Sequence, residues 1–144
     1  EYMEQAVNET RFLNLRGSKP EIDELIQQIV EQTTLVRLDK SDLIYLYKEK
    51  IVLKRRINSF PRTNESRMES ILRELTEYAS IDFGCYNKVV LLVRTSQKHP
   101  LLMEELRYIH AVIKLFPGGV EIRWGMGYDN SLDEKVLLML VCSC

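Results

Sequence analysis

The chain has 144 residues, the size of one ordinary globular domain, which is enough to bury a core. Hydrophobic residues make up 45% and charged residues 28%, and the formal net charge is −1, so composition favours neither a nucleic acid nor an acidic ligand as partner. No apolar run approaches the roughly 20 residues of a membrane span, and the first residues lack the apolar stretch of a signal peptide. The three cysteines have no zinc-binding spacing, so we expect reduced thiols in a cytoplasmic protein.

An amphipathic helix is predicted over residues 20–32. Ser18 opens an S-x-x-E capping box, and apolar residues follow at the helical spacing i, i+3, i+4, i+7. A short extended piece, residues 34–38, and a short helix, residues 41–48, are predicted next.

Strands and helices then alternate through the middle of the chain. Residues 51–60 alternate in polarity and predict a strand, and a second helix follows, capped by Thr63 or Asn64. Residues 88–94 are apolar at their centre and predict a buried strand. Pro100 opens a third helix.

The last twenty-five or so residues predict a β-hairpin. Residues 120–128 alternate in polarity, residues 136–142 are apolar throughout, and a turn cluster at 129–131 lies between them. Gly125 and Gly127 interrupt the first of these strands, which indicates a bulge, a bend or the close approach of another chain.

This order of elements predicts an α+β fold. Two helices are interleaved among four strands, which favours a four-stranded mixed sheet with two helices on one face, preceded by an N-terminal helix. The sequence has no internal repeat and no low-complexity tract.

The sequence lacks the motifs of a self-contained enzyme. It has no GxxxxGK[ST], no GxGxxG after a strand, no HExxH and no GxSxG. We expect structural or solvated roles for His99 and His110, because neither can be paired with a nucleophile. A small enzyme with an unrecognised site, for example at a subunit interface, is the least favoured alternative.

Asp39 and Asp42 are the candidate catalytic carboxylates. They lie where an extended segment turns into the short helix. In a structural interpretation, Asp39 caps that helix and Asp42 lies in its first turn, where the helix dipole favours negative charge. In a functional interpretation, the pair projects from a loop to orient water or to bind a cation.

A basic run between residues 48 and 62 is the second candidate site. Lys54 and Arg56 share one face of the predicted strand. One interpretation is a charged edge that prevents aggregation, and the other is a strip that binds an anion or a protein. Lys54 and Arg56, together with Arg37, are the candidate binding residues.

The closing segment, residues 120–143, resembles the closing hairpin of the C-terminal domain of FtsZ, the tubulin-like cell-division protein. The positions that fall on the family's pattern are Trp124, Gly125, Asp129, Ser131, Leu132, Asp133, Glu134 and Val136. Residues 64–78, with Glu65 and Arg67, resemble the family's G-E-N-R-A helix.

The segment RLDKSDL, residues 37–43, resembles the N-x-D-x-x-D loop of the same family, with Arg37 in place of the asparagine. In the family, subunits stack head to tail, and this loop enters the GTP site of the next subunit. Its acidic residues there help to position the water that attacks the γ-phosphate. The resemblance therefore implies that Asp39 and Asp42 act in trans, in filament assembly with an FtsZ-type subunit or with a second copy.

The family's nucleotide-binding half, with its G-G-G-T-G-[ST]-G loop, is absent from this sequence. We therefore expect no cofactor on this chain, GTP only on a partner, and GTPase activity only within an FtsZ-type assembly. The resemblance assigns residues 1–33 to an N-terminal segment with the end of the core helix, and 34–144 to the C-terminal α+β domain. The start at Glu1 indicates processing or a longer protein.

The alternative function is a stand-alone regulatory or binding module of α+β fold. Such a module would use the basic run, or the strand at 120–128, to hold a protein or a small anionic ligand.

Overall fold

A computed structural model describes residues 9–14, 19–61, 64–78 and 81–144, with the backbone alone for 9–14 and for Tyr78. The helices are α1 (Lys19–Gln32), α2 (Arg67–Arg73) and α3 (Leu106–Ile113). The strands are β1 (Glu9–Asn14), β2 (Ile51–Ser59), β3 (Lys88–Thr95), β4 (Glu121–Tyr128) and β5 (Val136–Ser143). Two short 3₁₀ helices, Lys40–Asp42 and Ile44–Lys48, lie between α1 and β2.

The strands form one mixed sheet in the order β1-β2-β5-β3-β4. β5 lies at the centre, antiparallel to both β2 and β3, and β4 runs parallel to β3. Every residue of β5 is buried, which is the outcome that its continuous apolar run predicts. All four predicted strands are present, and β1, which was not predicted, pairs with the outer side of β2.

The predicted closing hairpin is wrong in its pairing. β4 and β5 follow one another along the chain, but β3 lies between them in the sheet. Their connection, residues 129–135, crosses the end of β3, where the Asp129 N–H donates to the Thr95 carbonyl (2.8 Å) and Ser96 Oγ donates to the Asp133 carbonyl (2.6 Å). A tight hairpin turn joins adjacent strands, whereas this longer connection spans two strand spacings, about 10 Å.

The sheet is covered on both faces. α2 and α3 pack on one face, as predicted, and α1 packs with the 3₁₀ segment on the other. The core of the α2–α3 face includes Leu53, Ile57, Met68, Ile71, Val89, Leu91, Ile109, Val112, Leu138 and Leu140. The core of the α1 face includes Ile22, Leu25, Ile26, Ile29, Leu38, Leu43, Leu46, Val90, Leu92, Met139 and Val141. Within the described residues, no helix has both the length and the apolar character to cross a membrane.

Ser66 caps α2, which corrects the predicted cap at Asn64. Ser66 Oγ accepts from the Glu69 N–H (3.1 Å), and the Glu69 carboxylate accepts from the Ser66 N–H (3.3 Å). This reciprocal pair is a capping box, and it places the start of the helix after Ser66. Thr63 and Ser18, the other predicted caps, lie outside the described residues.

A buried ion pair joins α2 to the turn before α3. Arg67 Nη2 lies 2.8 Å from Glu105 Oε1, and the two residues are 6% and 1% exposed. Arg67 Nε also donates to Glu105 Oε2 (3.2 Å), and its Nη1 and Nη2 groups donate to the carbonyls of His99, Pro100 and Glu134 at 3.0–3.1 Å. Arg67 therefore links α2 to two connections at one end of the sheet, the one between β3 and α3 and the one between β4 and β5, and its charge is partnered by hydrogen bonds.

Candidate functional site in the acidic loop

The acidic loop, defined as residues 37–42, follows a segment that is fixed to the outer edge of β4. Val36 and Met126 exchange two backbone hydrogen bonds: the Val36 N–H donates to the Met126 carbonyl (3.2 Å), and the Met126 N–H donates back (3.0 Å). The Leu35 N–H donates to the same Met126 carbonyl (2.8 Å). These bonds set the direction in which the chain enters the acidic loop.

Gly125 and Gly127 allow the end of α1 to approach β4 closely. A Cβ atom at position 127 would lie 1.8 Å from the Gln32 carbonyl oxygen, and one at position 125 would lie 2.4 Å from Thr33 Cγ2. Both distances are shorter than any van der Waals contact, so β4 accepts only glycine at these positions without a shift. The sequence predicted a bulge, a bend or the close approach of another chain, and the structure shows a close approach by a segment of the same chain.

Thr33 joins the end of α1 to the acidic loop. This residue is 2% exposed, its Oγ1 donates to the Ile29 carbonyl (2.9 Å), and the same oxygen accepts from the Leu38 N–H (3.1 Å). Leu38 is buried in the core of the α1 face. The sequence reasoning did not single out Thr33, although a threonine just after a helix can bond to the carbonyl four residues back.

Asp39 and Asp42 lie on the exposed side of the acidic loop. Asp39 occupies the N-cap position of the 3₁₀ helix Lys40–Asp42 and Asp42 lies in its first turn, as the structural interpretation predicts, but the Asp39 side chain makes no capping hydrogen bond. Asp42 Oδ2 accepts from the Asp39 N–H (2.9 Å). The Asp39 side chain is exposed and that of Asp42 is partly buried. Asp42 thus holds the main chain of Asp39, while Asp39 presents its own carboxylate to solvent.

The three candidate binding residues are not brought together. Lys54 and Arg56 are partly buried on the sheet face that α1 covers, and Lys54 Nζ donates to Gln28 Oε1 (3.4 Å). Arg37 is exposed beside β4, and β5 and β3 separate β4 from β2, a distance of about 14 Å. The charged-edge interpretation is wrong, because β2 pairs on both sides, with β1 and with β5.

Comparison with known proteins finds similarity in structure alone, since no protein-family model and no curated protein matches this sequence. The structure is similar to an empty FtsZ dimer from M. jannaschii, with a TM-score of 0.63 and 18% identity over 81% of this chain and 34% of that chain. It is also similar to a tryptophan-to-tyrosine mutant of M. jannaschii FtsZ, with a TM-score of 0.61 and 16% identity over 89% of this chain and 39% of that chain. The chain thus spans less than two fifths of either FtsZ chain. It therefore has the fold of a part of FtsZ, and the part that its sequence resembles is the C-terminal domain.

Proposed function

We propose that this chain is an FtsZ-like assembly module whose acidic loop stimulates GTP hydrolysis on a neighbouring subunit. The neighbour is an FtsZ-type subunit or a second copy of the same protein, and the GTP is held by the neighbour. The observation that carries the proposal is the exposed carboxylate of Asp39, on a loop fixed to β4, in a chain with an FtsZ fold.

The proposed mechanism needs little from this chain beyond position and charge. Phosphoryl transfer is catalysed mainly by orienting the attacking group and by stabilising the charge that develops. Asp39 would accept a hydrogen bond from the attacking water and align it with the γ-phosphate. Asp42, which is bonded to the Asp39 N–H, would hold Asp39 in place. Arg37 would supply a positive charge on the same loop toward the anionic partner surface.

The test mixes the chain with GTP-loaded M. jannaschii FtsZ and measures phosphate release and pelleting. We expect the chain to change both, and we expect Asp39→Asn and Asp42→Asn to remove the effect on phosphate release. Glu104→Gln is the matched control, because Glu104 is an exposed carboxylate on the α2–α3 side of the sheet.

Two outcomes would contradict the proposal. One is no change in phosphate release or pelleting when the folded chain is present in excess over FtsZ. The other is a change that both aspartate variants retain in full, because the effect would then not pass through the acidic loop.

The alternative function, an anion-binding module that uses Lys54 and Arg56, has weaker support. α1 covers the face on which these side chains lie, and Gln28 accepts a hydrogen bond from Lys54. A surface that binds a partner needs side chains that the partner can reach.

A further inference from the structure

Three independent contacts meet where α1 ends and the acidic loop begins. Thr33 Oγ1 accepts from the Leu38 N–H, Thr33 Cγ2 lies over Gly125, and the Gln32 carbonyl lies over Gly127. We call these contacts the Thr33 clamp. The methyl group and the main-chain carbonyl hold this short segment against β4, and the side-chain hydroxyl ties Leu38 to the same segment.

From this geometry we infer that Thr33 is a positioning residue that sets where Asp39 stands in the neighbour's GTP site. The inference rests on the proposed function, because it concerns the presentation of the acidic loop to that site. Because Thr33 itself is only 2% exposed, we infer that it acts through Leu38 and Asp39 and not by direct contact with the neighbour's site.

The clamp lies one peptide bond from the group that it positions. Leu38 is anchored on two sides, through its N–H on Thr33 and through its side chain in the core, and Asp39 follows directly. The Asp39 N–H is in turn bonded to Asp42. A carboxylate whose main chain is held in this way loses less freedom when it meets its target, and misplacement by about 1 Å can lower a rate by about 100-fold.

The Thr33 hydroxyl donates to the Ile29 carbonyl (2.9 Å) and, at 3.4 Å, to the Val30 carbonyl, and it accepts from the Leu38 N–H (3.1 Å). The donated and the accepted bonds point to different roles. Its bond to the Ile29 carbonyl only completes the end of α1, whereas its bond to the Leu38 N–H holds the acidic loop. Thr76 is a control residue that has the first kind of bond and not the second. Its Oγ1 also donates to the carbonyl four residues back, Leu72 (3.0 Å), but among the described residues it accepts no N–H group.

Hydrogen exchange of the Leu38 amide in the whole chain tests the clamp without any partner. We expect Thr33→Val to speed this exchange by about tenfold beyond that of the Leu140 amide in β5, which reports global unfolding. Thr33→Ser keeps the hydroxyl and is expected to restore protection, and Thr76→Val is expected to leave it unchanged. Equal exchange of the Leu38 amide in wild type and Thr33→Val would overturn the clamp.

Phosphate release by GTP-loaded M. jannaschii FtsZ tests the positioning role. We expect Thr33→Val to lower the maximal stimulated rate by about tenfold or more while the concentration for half-maximal stimulation stays the same. Thr33→Ser is expected to recover most of the rate. Undiminished stimulation by Thr33→Val overturns the role of Thr33 alone. An absence of stimulation by the wild-type chain overturns the proposed function itself. In that case hydrogen exchange of the Leu38 amide still tests the Thr33 clamp, because that measurement needs no partner.

Discussion

The two faces of the sheet are held by different means. On the α2–α3 face, a large apolar core is accompanied at one end of the sheet by the buried ion pair of Arg67 and Glu105. On the α1 face, the end of the helix rests on glycines of β4, and the acidic loop that follows exposes Asp39. The charges of Arg67 and Glu105 are thus enclosed and partnered on the first face, whereas the charge of Asp39 is presented to solvent on the second. In the proposed function, the first face serves stability and the second holds a loop in place for contact with a partner.

The largest expected effect comes from the ion pair on the α2–α3 face. Arg67→Met leaves the Glu105 carboxylate, in a residue that is 1% exposed, without its guanidinium partner. We expect the free energy of unfolding to fall by about 3–5 kcal/mol, since an uncompensated buried charge is costly. Urea denaturation with a two-state fit measures the change.

Arg73→Met is the control for that experiment. Arg73 pairs with Glu65 (2.7 Å), but its side chain is 35% exposed, so we expect a loss of about 1 kcal/mol or less. Equal losses of unfolding free energy in the two variants would mean that burial does not distinguish the two ion pairs. The proposed difference between the two faces would then have no support.

The next effect in size concerns the α1 face. Gly127→Ala places a methyl group 1.8 Å from the Gln32 carbonyl oxygen, so either α1 or β4 must move. We expect a loss of about 1–3 kcal/mol from overpacking, together with faster amide exchange in residues 33–38. Gly118→Ala is the matched control, because no atom lies within 4 Å of its added Cβ. A stability loss without any change at residues 33–38 would contradict the link between Gly127 and the acidic loop.

A third, smaller effect follows from pH. Burial on the α2–α3 face raises the pKa of the Cys142 thiol from 9.0 to about 12. Because the thiol of the unfolded chain loses its proton first, the protonated Cys142 thiol contributes fully to the free energy of unfolding below pH 9. This contribution is lost as the pH rises toward 12. Between pH 9 and 10 the expected slope is about 1 kcal/mol per pH unit, because the thiol of the unfolded chain is only half ionised at pH 9, and urea denaturation measures it.

Tyr45 limits the pH range in which the change in stability due to Cys142 can be measured. Burial raises the pKa of Tyr45 from 10.0 to about 12, so its own contribution falls only above pH 10. The comparison of Cys142→Ala with wild type is therefore made between pH 9 and 10, where we expect the variant to have the smaller slope. The hydrogen bond with Asp82 also raises the pKa of Cys85, and this thiol contributes equally to both proteins. Cys144→Ala, at a half-exposed site, should retain the wild-type slope. Identical slopes in wild type and Cys142→Ala would contradict the assignment.

The elements of this fold could be predicted because burial follows a local period. The apolar run of β5 and the stripe of α2 are visible within a few residues of sequence. Sheet neighbours could not be predicted in the same way. The placement of β3 between β4 and β5 depends on pairings between distant residues, such as Leu91 with Leu140. The residue pattern of a strand does not indicate which strand it pairs with, and the hairpin was predicted wrongly for that reason.

The candidate site was predictable to the same limited degree. The position of Asp39 at the start of a short helix follows from local sequence and is confirmed. The glycines of β4 indicated a close approach, but their contact with Gln32 and Thr33 joins segments that are far apart in the chain. The role of Thr33 was missed for that reason, since its importance depends on what lies across from it.

The smallest expected effect on stability comes from a change at Asp39, next to the α1 face. This change tests whether Asp39 serves the proposed function without contributing to the stability of the fold. Asp39→Asn keeps the shape of the side chain, and asparagine caps helices about as well as aspartate, so we expect the free energy of unfolding to change by about 0.5 kcal/mol or less. The stimulated phosphate release should nevertheless be lost, because the neutral amide is a poorer acceptor for the attacking water. Urea denaturation and phosphate release on the same preparation measure both quantities. A stability loss above about 1 kcal/mol would place the charge of Asp39 among the groups that hold the fold, as Arg67 and Glu105 do, and the two faces would then not differ in the way proposed.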